Sequence, residues 1–148
     1  MILAFACKMC GQCCSGKGGI IISDLDMRRI CAHLRISRDA FTKLYAKTRK
    51  RKLEIKQDET GACVFFIPGK GCGVHRGKPD VCRAWPFFKG NLIDPLSLDM
   101  VKKYCPGINA EVSFEEFRRQ GLQYIAENDL AAGEEADAPN ALKIAKLR

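Results

Sequence analysis

The sequence has no apolar run that approaches the roughly 20 residues needed to cross a bilayer, so no membrane span is expected. The apolar start from Ile2 to Ala6 has no basic stretch before it and is too short for the core of a secretory signal, so no such leader is expected either. A nucleotide fingerprint is missing as well, because Gly16-Lys17-Gly18-Gly19 lacks the flanks of a phosphate loop. Neither a nucleophile–base–acid set nor an internal repeat stands out, which leaves little sequence support for an enzyme.

What the chain does have is cysteine and positive charge. Nine cysteines in 148 residues suggest either a disulfide framework or thiolates kept reduced for metal or redox work. The count is odd, and four of the nine lie within eight residues, where bridges would be strained or close trivial loops. Reduced thiolates in a soluble, cytoplasmic protein are therefore expected. The 25 basic against 17 acidic side chains give a net charge of +8, which attracts anionic partners such as nucleic acid, phosphates or acidic headgroups without choosing among them.

The length suits one domain with a modest core, read as residues 1–130. Residues 131–148, where composition shifts to Ala, Gly and Glu, read as a C-terminal tail. Ser23, followed by Asp24 and Asp26 and an apolar spacing of Leu25, Ile30 and Leu34, predicts a helix. Ser37 predicts a second helix, and Ser113 with Glu116 a third that starts in a capping box. The basic run Lys47 to Lys52 is expected to lead into a strand over 53–58, and Cys63 to Ile67 to form a buried strand ended by Pro68-Gly69 in a hairpin. From Pro68 to Pro106 the Gly and Pro content predicts irregular backbone with short extended pieces at Trp85 to Phe88 and Asn91 to Ile93. The expected fold is a small α+β domain, its helices flanking a short antiparallel hairpin, loop-rich and organised around a cysteine metal site.

Cys7, Cys10 and Cys13 form C-x2-C-x2-C, and Cys14 follows at once. Two intervening residues let a tight turn aim successive sulfurs at one point, a spacing used by both iron-sulfur and zinc sites. Cys63, Cys72, Cys82 and Cys105 bring the candidate metal ligands to eight, enough for two four-thiolate sites or for one cluster with spare thiols. Side chains of neighbours on extended backbone point to opposite sides, so Cys13 and Cys14 could serve two centres. Cys31 falls inside the first predicted helix and reads as core, and His33 as a surface or capping side chain; His75, three residues after Cys72, could complete a Cys/His site but reads first as a hydrogen-bonding group beside ligands. Phe65, Phe66, Trp85, Phe87 and Phe88 are expected to wall the later cysteines.

The ordered set Cys7-Lys8-Met9-Cys10-Gly11-Gln12-Cys13-Cys14, Cys63, Cys72-Gly73-Val74-His75 and Lys78-Pro79-Asp80-Val81-Cys82-Arg83-Ala84-Trp85-Pro86-Phe87 resembles the CxxCxxCC cysteine-cluster family, also called YkgJ-like. The resemblance runs from Cys7 to Cys105 and implies a domain that chelates zinc or iron, with no settled reaction. Some larger relatives, the flagellin lysine methylases, carry the same cysteine pattern. This chain departs from the common pattern at His75, where members often have tyrosine, and at Lys78-Pro79, where Arg-Pro is common. Neither change removes a sulfur.

A metal-binding function follows, with an iron-sulfur cluster, 4Fe-4S in particular, ahead of zinc because Cys105-Pro106 resembles the remote cysteine of ferredoxins. The alternatives are an iron-sulfur-dependent redox or methyltransferase-like enzyme, suggested by the larger relatives, and a zinc-type nucleic-acid adaptor, suggested by Lys47, Arg49, Lys50, Arg51 and Lys52. No protein partner is indicated.

Overall fold

Three serines set the helical frame of the computed structural model, which describes residues 2–8, 20–132, 138–144 and 147. Strand β1 (Ile20–Ile22) stops at Ser23, where helix α1 (Asp24–Leu34) begins. The Ser23 hydroxyl accepts from Asp26 N at 3.1 Å and the Asp26 carboxylate from Ser23 N at 3.0 Å, so two amides that the helix leaves orphaned are satisfied reciprocally. Ser37 caps α2 (Arg38–Tyr45) through Ala40 N. Ser113 caps α6 (Phe114–Glu127) through Glu116 N, but the return bond does not form, because Arg119 and Gln120 take the Glu116 carboxylate.

The basic run does more than lead into a strand; it makes half of a hairpin. Strand β2 (Ala46–Arg49) pairs antiparallel with β3 (Lys52–Ile55), and the Arg49–Lys52 rung closes a two-residue loop at Lys50 and Arg51, with φ of 48° and 67°. Positive φ costs a residue with a Cβ about 1–2 kcal/mol. The strand was hard to read because only Ala46 is buried and Lys47, Thr48 and Arg49 all face solvent, which leaves no alternation. Strand β1 pairs with the other edge of β3 from Ile20–Ile55 to Ile22–Leu53, giving an antiparallel sheet of order β1-β3-β2. The expected second hairpin is present but short: β4 (Phe66–Ile67) and β5 (Gly71–Cys72) flank Pro68-Gly69, while Cys63 makes an isolated bridge to Gln57.

The stretch from 68 to 106 corrects the sequence reading most. Helices α3 (Asp80–Ala84), α4 (Lys89–Ile93) and α5 (Pro95–Lys102) occupy it, so Asn91 to Ile93 is helical rather than extended. Helices of five to eight residues complete too few turns to display a 3.6-residue period. The start of α5 does carry a signal, since Asp94 accepts from Leu96 N and Pro95 sits where a missing N–H costs nothing.

The architecture is a small α+β fold with two apolar clusters. One packs α1 and α2 on the sheet through Ile22, Met27, Ile30, Phe41, Ile55 and Phe65. The other gathers α4, α5 and α6 around Phe87, Leu92, Leu98, Ile108, Phe117 and Ile125. The segment read from sequence as a tail adds Leu142 and Ile144 to this second cluster. Ala132 N donates to Leu142 O at 2.7 Å, and Lys52 Nζ reaches Ala138 O and Asn140 Oδ1 at 3.1 and 3.2 Å.

Gly121 lets α6 approach this cluster. A Cβ there would lie 2.7 Å from both Leu92 Cδ2 and Phe87 Cδ1, and both side chains are buried. Gly121→Ala gains about 1 kcal/mol of helix propensity but overpacks a core site at about 1–3 kcal/mol. A net loss of about 1 kcal/mol is expected in urea denaturation, and a stabilised variant would refute this packing.

Candidate metal centre

The cysteine-rich segment is held at both ends, and each end is held beside an element that carries a further cysteine. At the first, the Gln120 side chain of α6 accepts from Ala4 N at 2.8 Å and donates to Ile2 O and to Glu116, which fixes the start of the chain against the helix. Residues 4–6 then lie along 107–109: Asn109 N donates to Ala4 O and Ala6 N to Gly107 O, both at 2.9 Å, while Phe5 bridges Ile108. Cys7, which is exposed, leaves this contact beside the Cys105-Pro106-Gly107 turn, and Cys105 itself is buried three residues past the end of α5. Gly107 is required by the closeness of the two backbones, since a Cβ would come within 2.7 Å of Ala6 O.

At the other end, β1 packs against α3, the helix that bears Cys82. A carboxylate–arginine cluster clamps this helix to α1. Asp26, only 1% exposed, accepts from Asp80 N at 3.0 Å and so caps α3 as well as α1. Arg29 reaches Asp80 at 3.0 Å, Asp26 at 3.5 Å and Lys78 O at 3.4 Å, and Arg83 closes on Asp80 at 2.9 Å. Burial pushes the Asp26 carboxyl above its ordinary pKa, and the amides of Ser23 and Asp80 pull it back. Asp26 is the buried member and its partners are partly exposed, so removing one of them costs less than the ~3–5 kcal/mol of a fully buried pair. Sequence reasoning missed the cluster; its signal was the two acids, Asp26 and Asp80, each in the first turn of a helix.

The elements beside the two ends also touch through aromatic rings. Trp85, three residues after Cys82, stacks on Tyr104, the neighbour of Cys105, with centroids 6.2 Å apart and ring planes 27° from parallel. The expected aromatic wall is otherwise divided. Phe65 and Phe66 belong to the sheet-side cluster, where Phe65 meets Tyr45 at 4.9 Å, whereas Trp85, Phe87 and Phe88 belong to the helical one.

Of the eight proposed ligands, Cys10, Cys13 and Cys14 lie outside the described residues, in the segment that joins Lys8 to Ile20. Cys63 is buried and Cys72 partly buried, both in the sheet-side cluster, while Cys105 lies in the helical cluster and Cys82 on α3. Among the described residues, no three His, Cys, Asp or Glu side chains form a group able to hold an ion. Cys31 stands apart, packed against the sheet-side cluster with its thiol 3.9 Å from Ser37 O and its pKa raised by burial. His33 is exposed in the last turn of α1. His75 opens a 3-10 turn, and its side chain lies outside the described part of the structure. Of the bases near ligands, Arg83 is engaged by Asp80, whereas Arg76 is exposed.

Residues 6–106, more than half of the chain, match the CxxCxxCC family, whose description reads "Putative zinc- or iron-chelating domain", and the chain belongs to this family. It is also similar to the uncharacterised protein MJ0661 of Methanocaldococcus jannaschii, with 26% identity over 86 residues, 57% of this chain and 46% of that protein. The chain therefore spans less than half the length of that relative. No solved structure matches it. No described helix is long and apolar enough to cross a membrane.

Two variants test how the Cys7 end is held. Gly107→Ala forces a Cβ onto the Ala6 carbonyl, so it should loosen residues 2–7, raise their hydrogen exchange and lower the metal content of purified protein several-fold. Unchanged exchange would show that the contact is not needed. Glu116, hydrogen-bonded by Arg119 and Gln120, has its carboxyl pulled down from 4.5 to about 2. A depressed carboxyl stabilises the fold above its unfolded pKa and loses that contribution as pH falls from about 4.5 towards 2. Glu116→Gln should therefore flatten this acid limb in urea titrations of metal-free protein, and an identical pH profile would contradict the assignment.

Proposed function

We propose that Cys7, Cys10, Cys13, Cys14, Cys63, Cys72, Cys82 and Cys105 are the thiolates from which iron-sulfur ligation is drawn, with a 4Fe-4S cluster as its form, in a metal-binding domain of residues 1–130 that works in the reducing cytoplasm. One observation carries the reading: the described residues on either side of the segment with Cys10, Cys13 and Cys14 are pinned next to Cys105 and next to the helix of Cys82. Membership of a zinc- or iron-chelating family supports metal chemistry in general. The C-x2-C-x2-C spacing with a remote Cys-Pro favours the cluster over zinc. A single cubane takes four thiolates, so iron per chain measures how many of the eight are used.

When bound, such a cluster would supply one-electron chemistry. The chain's own part is to offer deprotonated thiolates and to hold them at a fixed spacing, so binding releases protons and strengthens as pH rises. The buried positions of Cys63 and Cys105 restrict water at those sulfurs.

Protein purified without oxygen should be brown, with iron and acid-labile sulfide in equal amounts. Cys10→Ala and Cys105→Ala should each remove most of the iron, and Cys31→Ala should leave it unchanged. A colourless protein with stoichiometric zinc and no sulfide would overturn the iron-sulfur reading and leave zinc as the chelated metal.

A further inference from the structure

The β2–β3 hairpin is the feature that metal binding leaves unexplained. Strand β1 accompanies β3 only as far as Leu53, so the Arg49–Lys52 rung and the Lys50-Arg51 turn extend beyond the three-stranded part of the sheet. Arg49, Lys50 and Arg51 on this projection are exposed, as is Lys47 further down β2, opposite Glu54 in the three-stranded part. Among the described residues, the side chains of Lys47, Lys50 and Arg51 make no hydrogen bond or ion pair, and Arg49 has only the buried Glu54 carboxylate at 4.0 Å. Lys52 and Lys56, by contrast, are tied down by carbonyls of Ala138 and Lys43. The two cations of the turn itself, Lys50 and Arg51, are thus unpaired, while Lys52 in the tip rung and Lys56 beyond the base of the hairpin are used to hold the fold.

The tip is also built against its local preference. Both loop residues have positive φ, which in a two-residue hairpin loop favours Asn-Gly, yet the positions hold Lys50 and Arg51. Side chains at the tip are thus placed where the backbone would favour uncharged, compact residues.

We propose that this hairpin is a docking surface for the phosphate backbone of double-stranded DNA. A two-stranded ribbon fits a major groove, and unpaired Lys and Arg gain by releasing the counterions condensed on the duplex. Protein interfaces are depleted of lysine, and residues 47–51 include no apolar side chain to insert into a bilayer. The contact is expected to be independent of base sequence.

The test uses the full chain with its metal in place, a fluorescent duplex of arbitrary sequence, and a salt titration by anisotropy. Wild type should bind at low salt and weaken steeply as salt rises. Lys50→Asn/Arg51→Gly installs the residues that the loop geometry prefers, so its melting temperature should equal or exceed that of wild type. Its affinity should fall about tenfold, and its salt slope should lose nearly two units, as expected for two phosphate contacts at about 0.9 each. Absence of binding, salt-independent binding, or full affinity in this variant would overturn the proposal. So would binding to phosphatidylserine vesicles or to polyglutamate without binding to the duplex.

Discussion

A carboxylate with almost no access to solvent, Asp26, joins two helices that are far apart in sequence. It completes the cap of α1, accepts from the first amide of α3, and lies within reach of Arg29. Burying a charge is unfavourable by several kcal/mol unless hydrogen bonds and an opposite charge replace water, and here two amides and a guanidinium do so. The contact fixes α3 on the helix that follows β1. Since α3 bears Cys82 and β1 follows the cysteine-rich segment, the geometry of the proposed centre depends on this cluster as well as on the two apolar cores that place Cys63, Cys72 and Cys105.

The sequence revealed those parts of the fold whose signals are local. Serine caps at 23, 37 and 113 are one-residue features with a direct mechanism, and all three helices begin where expected. Helices α3 to α5 stayed hidden because each is stabilised by tertiary contacts: Leu92 and Leu98 are fully buried in the second cluster, but no stripe of one or two turns stands out from a Pro- and Gly-rich background. Strand β2 was hidden for the opposite reason, as an exposed edge strand shows no alternation. Of the candidate site, the cysteine spacing was legible, whereas the Asp26–Arg29–Asp80–Arg83 cluster was not, because the bonds that join its two halves span about fifty residues.

Charge is distributed in a way that suits two different tasks. Arg29 and Arg83 are committed to carboxylates near the cysteines and stiffen the scaffold. The cations of the β2–β3 turn are uncommitted and project from the sheet. A net charge of +8 therefore says little until the side chains already neutralised within the fold are separated from those that remain available to a partner.

The pinned ends also bear on how strongly a metal can be held. Closing a loop has an entropic cost that grows only as the logarithm of its length, but in a chain with loose ends the metal–ligand bonds must supply that cost together with the ordering of every residue between. Here hydrogen bonds with Gln120, Gly107 and Asn109 fix one end, and pairing of β1 with β3 fixes the other. Closure would thereby be shared with protein contacts in the proposed centre, leaving the free energy of metal–thiolate bonds for the ligand segment itself. In the proposed centre, contacts that involve no sulfur atom, such as those at Gly107 and at Asp26, would in this way belong to the same design as the cysteines themselves.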